Sequence, residues 1–199
     1  MISFWDERYN QPEYAYGEAP NTFFEQELNQ LNPGTIILPC EGEGRNAVFA
    51  SNKGWKAIAF DNSPSGKNKA EKLAEKYKKT IQYDIADAAV IDYPDNSADV
   101  IAFIYAHFSP AIRSQIHQKA IQWLKPGGRI LLEAFDTNQQ KYTSGGPKDP
   151  TMLYTMDMIA YDFKSLKIIE LNQKIIQLNE GQCHVGDASV IRFIGEKLK

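Results

Sequence analysis

Gly42, Gly44 and Asp61 carry the first chemical signal in this chain. Residues 36–47 read Ile-Ile-Leu-Pro-Cys-Glu-Gly-Glu-Gly-Arg-Asn-Ala. An apolar run ends in the Gly42-x-Gly44 turn and passes into a helix-like stretch, and a second apolar run, Ala57 to Phe60, stops at Asp61. Glycines let backbone approach a ligand that a Cβ would exclude. A helix start offers unpaired N–H groups. A carboxylate at the tip of the second strand, 19 residues after Gly42, can accept hydrogen bonds from both hydroxyls of a ribose. The pattern points to an adenosine-containing cofactor. Gly42-x-Gly44-x-x-Ala47 with Asp61 also satisfies the dinucleotide fingerprint, so an NAD-dependent oxidoreductase is one alternative, and a non-catalytic adenosyl-ligand binder is another.

The elements that must position these residues follow from apolar spacing. Asn21 caps a helix through Phe23, Phe24, Leu28 and Leu31, stopped by Asn32-Pro33-Gly34. Strand 36–40, helix 45–53 and strand 56–61 come next, then an amphipathic helix over 66–78 and a short strand, Thr80–Tyr83. Strand Asp99–Tyr105, helix 110–124, a Lys125-Pro126-Gly127-Gly128 turn and strand Arg129–Phe135 complete the alternation. Residues 136–150 read as a long loop and 155–163 as a short helix. Strands 166–172, 173–179 and 189–197 close the chain without crossover helices. Alternating strands and helices predict an α/β fold with a doubly wound, mostly parallel seven-stranded sheet, and the strand-rich tail predicts an antiparallel C-terminal edge. The expected division is a single domain over 1–199, with 1–32 as an N-terminal lid and helix and 33–199 as a Rossmann-like core. Ligands in such sheets sit beyond the carboxyl ends of the strands.

Composition narrows the function classes. The 199 residues are 43% hydrophobic and 24% charged, with a formal net charge of -3, so nothing in the overall charge favours nucleic acid. No apolar run approaches the roughly 20 residues that span a bilayer. The opening Met-Ile-Ser-Phe-Trp-Asp-Glu-Arg lacks the basic and long apolar regions of a signal peptide, and Cys40 and Cys183 are too few for a disulfide framework. A cytoplasmic location is expected, with no membrane or nucleic-acid partner and no metal. The oligomeric state is not legible.

Taken together, the motifs resemble the class I S-adenosylmethionine-dependent methyltransferases, and within them the small tellurite-resistance and thiopurine type. The matching stretches are Glu-Gly-Glu-Gly-Arg-Asn-Ala-Val (41–48), Asp61, Tyr-Asp-Ile-Ala-Asp (83–87), Ala-His-Phe (106–108), Leu-Lys-Pro-Gly-Gly (124–128), Glu-Ala-Phe (133–135) and the segment 145–154. The opening Trp-Asp-Glu-Arg-Tyr (5–9) fits as well. The resemblance implies S-adenosylmethionine as cofactor, with S-adenosylhomocysteine as product. It places Gly42 and Gly44 against the methionyl and ribose portions, Asp61 and Asn62 at the ribose, and Asp84 with Ile85 at the adenine, Asp87 being a rival for the polar contact. The family's usual acid before the glycines is replaced by Leu38, so Glu41 is expected to supply the charge for the methionyl amine. Arg45 is expected near the methionyl carboxylate or the substrate, or else facing solvent from the helix start.

The implied reaction is methyl transfer to a small molecule, and a thiol or chalcogen oxyanion would need little base help. An oxygen or nitrogen acceptor would need a base. His107, at the end of the fourth strand, is the catalytic candidate, and His184 is a second. Tyr9 and Tyr16, with Trp5 and Tyr14, would form an aromatic lid, since aromatic faces attract a sulfonium. Lys148 and Tyr154 would reach the substrate.

Overall fold

The computed structural model describes residues 4–199. Seven strands form one sheet in the order β3-β2-β1-β4-β5-β7-β6. β1 (Thr35–Pro39), β2 (Lys56–Asp61), β3 (Gln82–Ile85), β4 (Ala98–Ile104) and β5 (Leu124–Phe135) run parallel. β7 (His184–Glu196) lies antiparallel between β5 and the edge strand β6 (Lys167–Glu180). The chain order reverses beside β1, which has β2 on one side and β4 on the other. Crevices form at such a point because the loops that follow the two strands diverge.

The central strands are buried on both faces, as parallel strands covered by helices must be. Ile37, Phe60, Ile101, Phe103, Ile130 and Leu132 point into the cluster shared with Ile116, Ala120 and Trp123 of α5 (Pro110–Trp123) and with Ile159 of α6 (Met156–Asp162). Their neighbours Ile36, Leu38, Ala57, Ala59, Val100 and Leu131 point the other way. There they meet Phe23, Phe24 and Leu28 of α2 (Thr22–Leu28), Ala47 and Ala50 of α3 (Arg45–Asn52), and Ala70 of α4 (Pro64–Lys76). The period of two along each strand divides the apolar residues between the layers. The short α1 (Phe4–Tyr9) packs on α4. No helix among the described residues is long and apolar enough to cross a membrane.

Local chemistry explains the boundaries. Asn21 caps α2 by accepting from Phe24 N, but the helix stops at Leu28 rather than Leu31. Ser63 accepts from Gly66 N and Pro64 occupies the first turn, so α4 starts two residues before the expected position. β3 falls at 82–85 rather than 80–83. The Lys-Pro-Gly-Gly segment forms no free turn: Leu124 pairs with Ala98 and Arg129 with Val100, so 125–128 bulge out of a continuous β5. The two expected strands at 166–172 and 173–179 are one strand, because no glycine or proline interrupts them and β7 pairs along the whole length. The loop after β5 is also more ordered than expected. Asp136 and Asp149 cap short 3-10 turns at Thr137–Lys141 and Pro150–Met152.

One buried polar cluster locks α5 to α6. The fully buried Asp162 carboxylate accepts from Arg113 Nε at 2.7 Å and pairs with His117 Nδ1 at 2.8 Å. The hydrogen bonds from His117 and Arg113 outweigh the desolvation of Asp162, leaving its carboxyl below the ordinary range, while burial depresses His117. Asp162→Ala strips the counter-charge from Arg113 and leaves both donors without a partner. The expected cost is about 3–5 kcal/mol, read as a lower urea midpoint. Asp162→Asn, which keeps the volume and one acceptor, should lose less.

Candidate functional site

The turn from β1 into α3 needs left-handed backbone at three positions. Cys40, Gly42 and Gly44 have φ of 55°, 59° and 84°. Glycine takes this region freely, whereas a side chain there costs roughly 1–2 kcal/mol, a cost the turn carries at Cys40. The turn is crowded. A Cβ on Gly42 would lie 2.6 Å from Tyr9 Oη, and one on Gly44 would strike the Ala70 methyl. Tyr83 Oη donates to Gly42 O at 2.5 Å. Asp61, at the tip of β2 and 7% exposed, accepts from Gly42 N at 3.2 Å and Ser63 N at 3.0 Å. Burial pushes its carboxyl up, against the pull of these N–H groups. The acid and the glycine turn are therefore held side by side by a direct hydrogen bond.

Glu41 turns back over the start of α3. Its Oε1 accepts from Ala47 N at 2.7 Å and its Oε2 lies 3.4 Å from Asn46 Nδ2. Burial pushes its carboxyl up to about 7. Among the described residues no lysine, arginine or histidine forms an ion pair with it, whereas Glu43 has Lys69, Glu133 has Arg192 and Glu180 has Arg45. Arg45 does not face solvent. It is buried, bonds Glu180 at 2.8 Å and donates to Tyr16 O at 3.1 Å. It ties the N-terminal segment and the β6–β7 hairpin to the start of α3.

The sequence reading missed the network around Glu133. This fully buried carboxylate on β5 accepts from Asn21 Nδ2 at 2.7 Å, Tyr105 Oη at 2.9 Å and Arg192 Nε at 2.6 Å. Asn21 also donates to Glu180 at 3.1 Å. A signal was present: Leu-Leu-Glu-Ala-Phe and Val-Ile-Arg-Phe-Ile each place one charge inside an apolar strand, and a buried charge demands a partner.

Beyond β4 the chain again takes a positive φ, 54° at Tyr105. The Tyr105 ring stacks on Phe135 at 4.7 Å and meets His184 at 4.6 Å, and Tyr16 meets His184 at 4.4 Å. The β6–β7 hairpin thus arches over the ends of β4 and β5. His184 is the first residue of β7 rather than a loop residue. It is 3% exposed and bonds Glu180 through Nδ1 at 3.2 Å, and burial depresses its pKa. Its Nε2 makes no hydrogen bond to the described residues. Tyr16 reaches this region, its Oη accepting from Arg8 at 2.7 Å, whereas Tyr9 packs on the Gly42 turn. Tyr14 instead donates to Lys69 O, and Trp5 is 40% exposed, stacked on Tyr9. A cavity of about 340 Å³ opens between α1 and the hairpin turn, beside Arg8, Gln11, Ala15, Gln182 and Cys183.

Several expected roles need correction. His107 lines up with Phe135, but both ring nitrogens are occupied: Nδ1 bonds Met152 O at 2.8 Å and Nε2 accepts from Phe135 N at 3.1 Å. No lone pair remains for a proton acceptor, and burial pushes its pKa down to about 4. Tyr154 stands inside the fold rather than on an open loop. It is fully buried, donating to Ala106 O at 3.1 Å and accepting from Phe108 N at 2.9 Å. Lys148 is exposed on its loop and contributes no bond to the site. Asp84 lies inside β3, paired with Phe60, and its carboxylate takes Tyr93 Oη and Gln82 Nε2, each at 3.2 Å. The shift of β3 leaves Asp87, rather than Asp84, beyond the strand end, where it is exposed and accepts from Ala89 N. Ile85 and Asn62 are exposed at the tips of β3 and β2.

Residues 38–128, which contain the glycine turn, Asp61 and strands β2, β3 and β4, match the model of a methyltransferase domain. A ubiquinone/menaquinone biosynthesis C-methyltransferase of Teredinibacter turnerae is 24% identical over 88% of this chain and 64% of its own length. The chain spans less than two thirds of the length of the curated relatives it matches. Among solved structures, TehB from Haemophilus influenzae superposes with a TM-score of 0.73 at 16% identity, over 98% of this chain and 66% of that one. A structure described as the conversion of a disulfide bond into a thioacetal group during echinomycin biosynthesis reaches 0.80 at 14% identity, covering 100% and 92%. At these identities the superpositions establish the fold. Beside that fold, the match over residues 38–128 makes the segment with the glycine turn and Asp61 similar to a methyltransferase domain.

Proposed function

We propose that the chain transfers the methyl group of S-adenosylmethionine to a small-molecule acceptor. The observation that carries this reading is the hydrogen bond between Asp61 and Gly42 N, which sets a ribose-binding carboxylate beside a glycine turn at the switch point of the sheet. In this reading Asp61, with Asn62, takes the ribose hydroxyls, and Ile85 lies against the adenine. The adenine amino group falls to Asp87, which stands beyond the strand, in preference to Asp84. Glu41, which like Asp61 forms no ion pair among the described residues, takes the methionyl ammonium. Tyr9 and Tyr16 close over the cofactor from the N-terminal side.

The acceptor is a soft nucleophile, a thiol or chalcogen oxyanion. Such groups ionise near neutral pH without a strong base, and the occupied nitrogens of His107 favour that class. His184 Nε2 is the group that can hold a proton beside the acceptor, and the cavity near Arg8 and Cys183 is the entry route. The sulfonium carries its own leaving group, so the protein's task is to align the nucleophile and exclude water. The C-methyltransferase relative acts in quinone biosynthesis by its name, which supports a small acceptor over a macromolecule.

Calorimetric titration with S-adenosylmethionine and S-adenosylhomocysteine, with NADH as control, tests the reading. Micromolar binding of both adenosyl ligands is expected. Asp61→Ala should weaken it about tenfold, the equivalent of one charged hydrogen bond. Preference for NADH, or unchanged affinity in the variant, would sink the proposal.

His107 makes a separate prediction. Its folded pKa, about 4, lies below the ordinary 6.5, so the unfolded chain binds the extra proton between the two values. Stability from this residue is full above pH about 6.5 and falls as the pH drops toward 4. His107→Gln should therefore flatten the acid limb of stability in urea titrations while leaving the pH profile of kcat unchanged. A lost kinetic limb would restore His107 as a base.

A further inference from the structure

β6 is the outer strand of the sheet. It pairs with β7 on one side, and among the described residues nothing pairs with the other. Along its 14 residues, every second residue turns its N–H and C=O outward, a ready template for another strand. The strand also exposes Ile168, Ile169 and Ile175, the last 68% accessible. Two features guard this edge. A bulge interrupts the ladder between Ile168 and Glu170, and Lys174 places a charge at mid-strand. Against a strand of arbitrary sequence both are obstacles.

We propose that this edge pairs with its own copy: β6 of one molecule lies antiparallel to β6 of a second, about a two-fold axis at Asn172. Outward-facing backbone groups recur on alternate residues, so a self-paired antiparallel strand can set residue i only against a residue of the same parity. That leaves few central registers. An axis at Glu170 or Lys174 puts like charges face to face, and an axis at Leu171 or Gln173 sets both charges against neutral residues. The axis at Asn172 sets Glu170 of each copy opposite Lys174 of the other, twice.

Within one copy Glu170, Asn172 and Lys174 already share a face. Asn172 Nδ2 donates to Glu170 Oε1 at 2.6 Å, and Lys174 Nζ lies 3.4 Å from the same oxygen. Self-pairing completes this row as an alternating square of four charges. Among the described residues of one copy Lys174 has only this long contact with Glu170; a second copy adds an acid opposite each lysine, which a foreign strand without an acid at that register does not supply, so the same lysine favours a second copy over other strands.

Sedimentation velocity over roughly 10–100 µM protein, the range for a small interface, tests the proposal. The full chain should dimerise. Glu170→Lys alone and Lys174→Glu alone each set like charges opposite one another, and each should weaken the dimer by about tenfold. The double swap, Glu170→Lys with Lys174→Glu, should restore it. An equimolar mixture of the two single variants should also dimerise, because each supplies the charges the other needs. Unchanged melting temperatures of these surface variants show that the fold is intact. A monomer throughout the range, or a dimer indifferent to the swaps, overturns the proposal.

Discussion

The left-handed backbone of the turn after β1 is the constraint on which the rest of the site depends. Only that path lets the chain leave β1, pass beneath Tyr9 and enter α3 with Gly42 N pointing at Asp61. Each neighbour then falls into place by exclusion. Tyr9 can sit on Gly42 only because no Cβ stands there. α4 can approach through Ala70 only because Gly44 has none. Tyr83 holds the same turn from below through Gly42 O. A substitution at either glycine would therefore displace a helix or the N-terminal segment, which makes close packing the constraint these positions answer to.

A second layer of order comes from charges held largely away from water. Glu133, Glu180, Arg45, Arg192 and Asn21 form a connected set joining α2's start, β5, β7, the hairpin and α3. A buried ion pair is weak evidence for stability, since desolvation offsets much of its attraction. Its geometry is nonetheless directional, and here it fixes how far the hairpin arches and where Tyr105 stands, through the Tyr105–Glu133 bond. An apolar substitute of equal volume would fill the space without setting that angle.

What was legible in the sequence was local. The Asn21 cap, the Pro110 start of α5, the doubly wound alternation and the antiparallel edge depend on neighbours within a turn or on a period of two or 3.6. The misplaced roles depend on distant partners. His107 is occupied by Met152 and Phe135, and Tyr154 by Ala106 and Phe108, contacts 28 to 48 residues apart in the chain. No spacing rule sees such bonds, so residues that match a motif by type turned out to be saturated by backbone. Asp84 failed for a simpler reason. A two-residue shift of β3 moved it from loop to strand and turned its carboxylate toward Tyr93. The run Gln-Tyr-Asp-Ile-Ala-Asp offers two acids three apart, and periodicity alone cannot say which lies past the strand end.

The placement of titratable groups bears on the chemistry as a whole. Burial depresses His107, His117 and His184 alike, so each is held toward its neutral form. Of these, only His184 combines a carboxylate on one nitrogen with a position over the ends of β4 and β5. A catalyst built around proton abstraction would need a base with its pKa near the working pH and a free lone pair pointed at the substrate. What the described residues provide is enclosure: an N-terminal segment strapped by Arg45, the His184 ring against Tyr105, and a buried carboxylate at Glu41. Enclosure of this kind excludes water and fixes a line of approach, which are the main requirements of a group transfer whose donor carries its own leaving group.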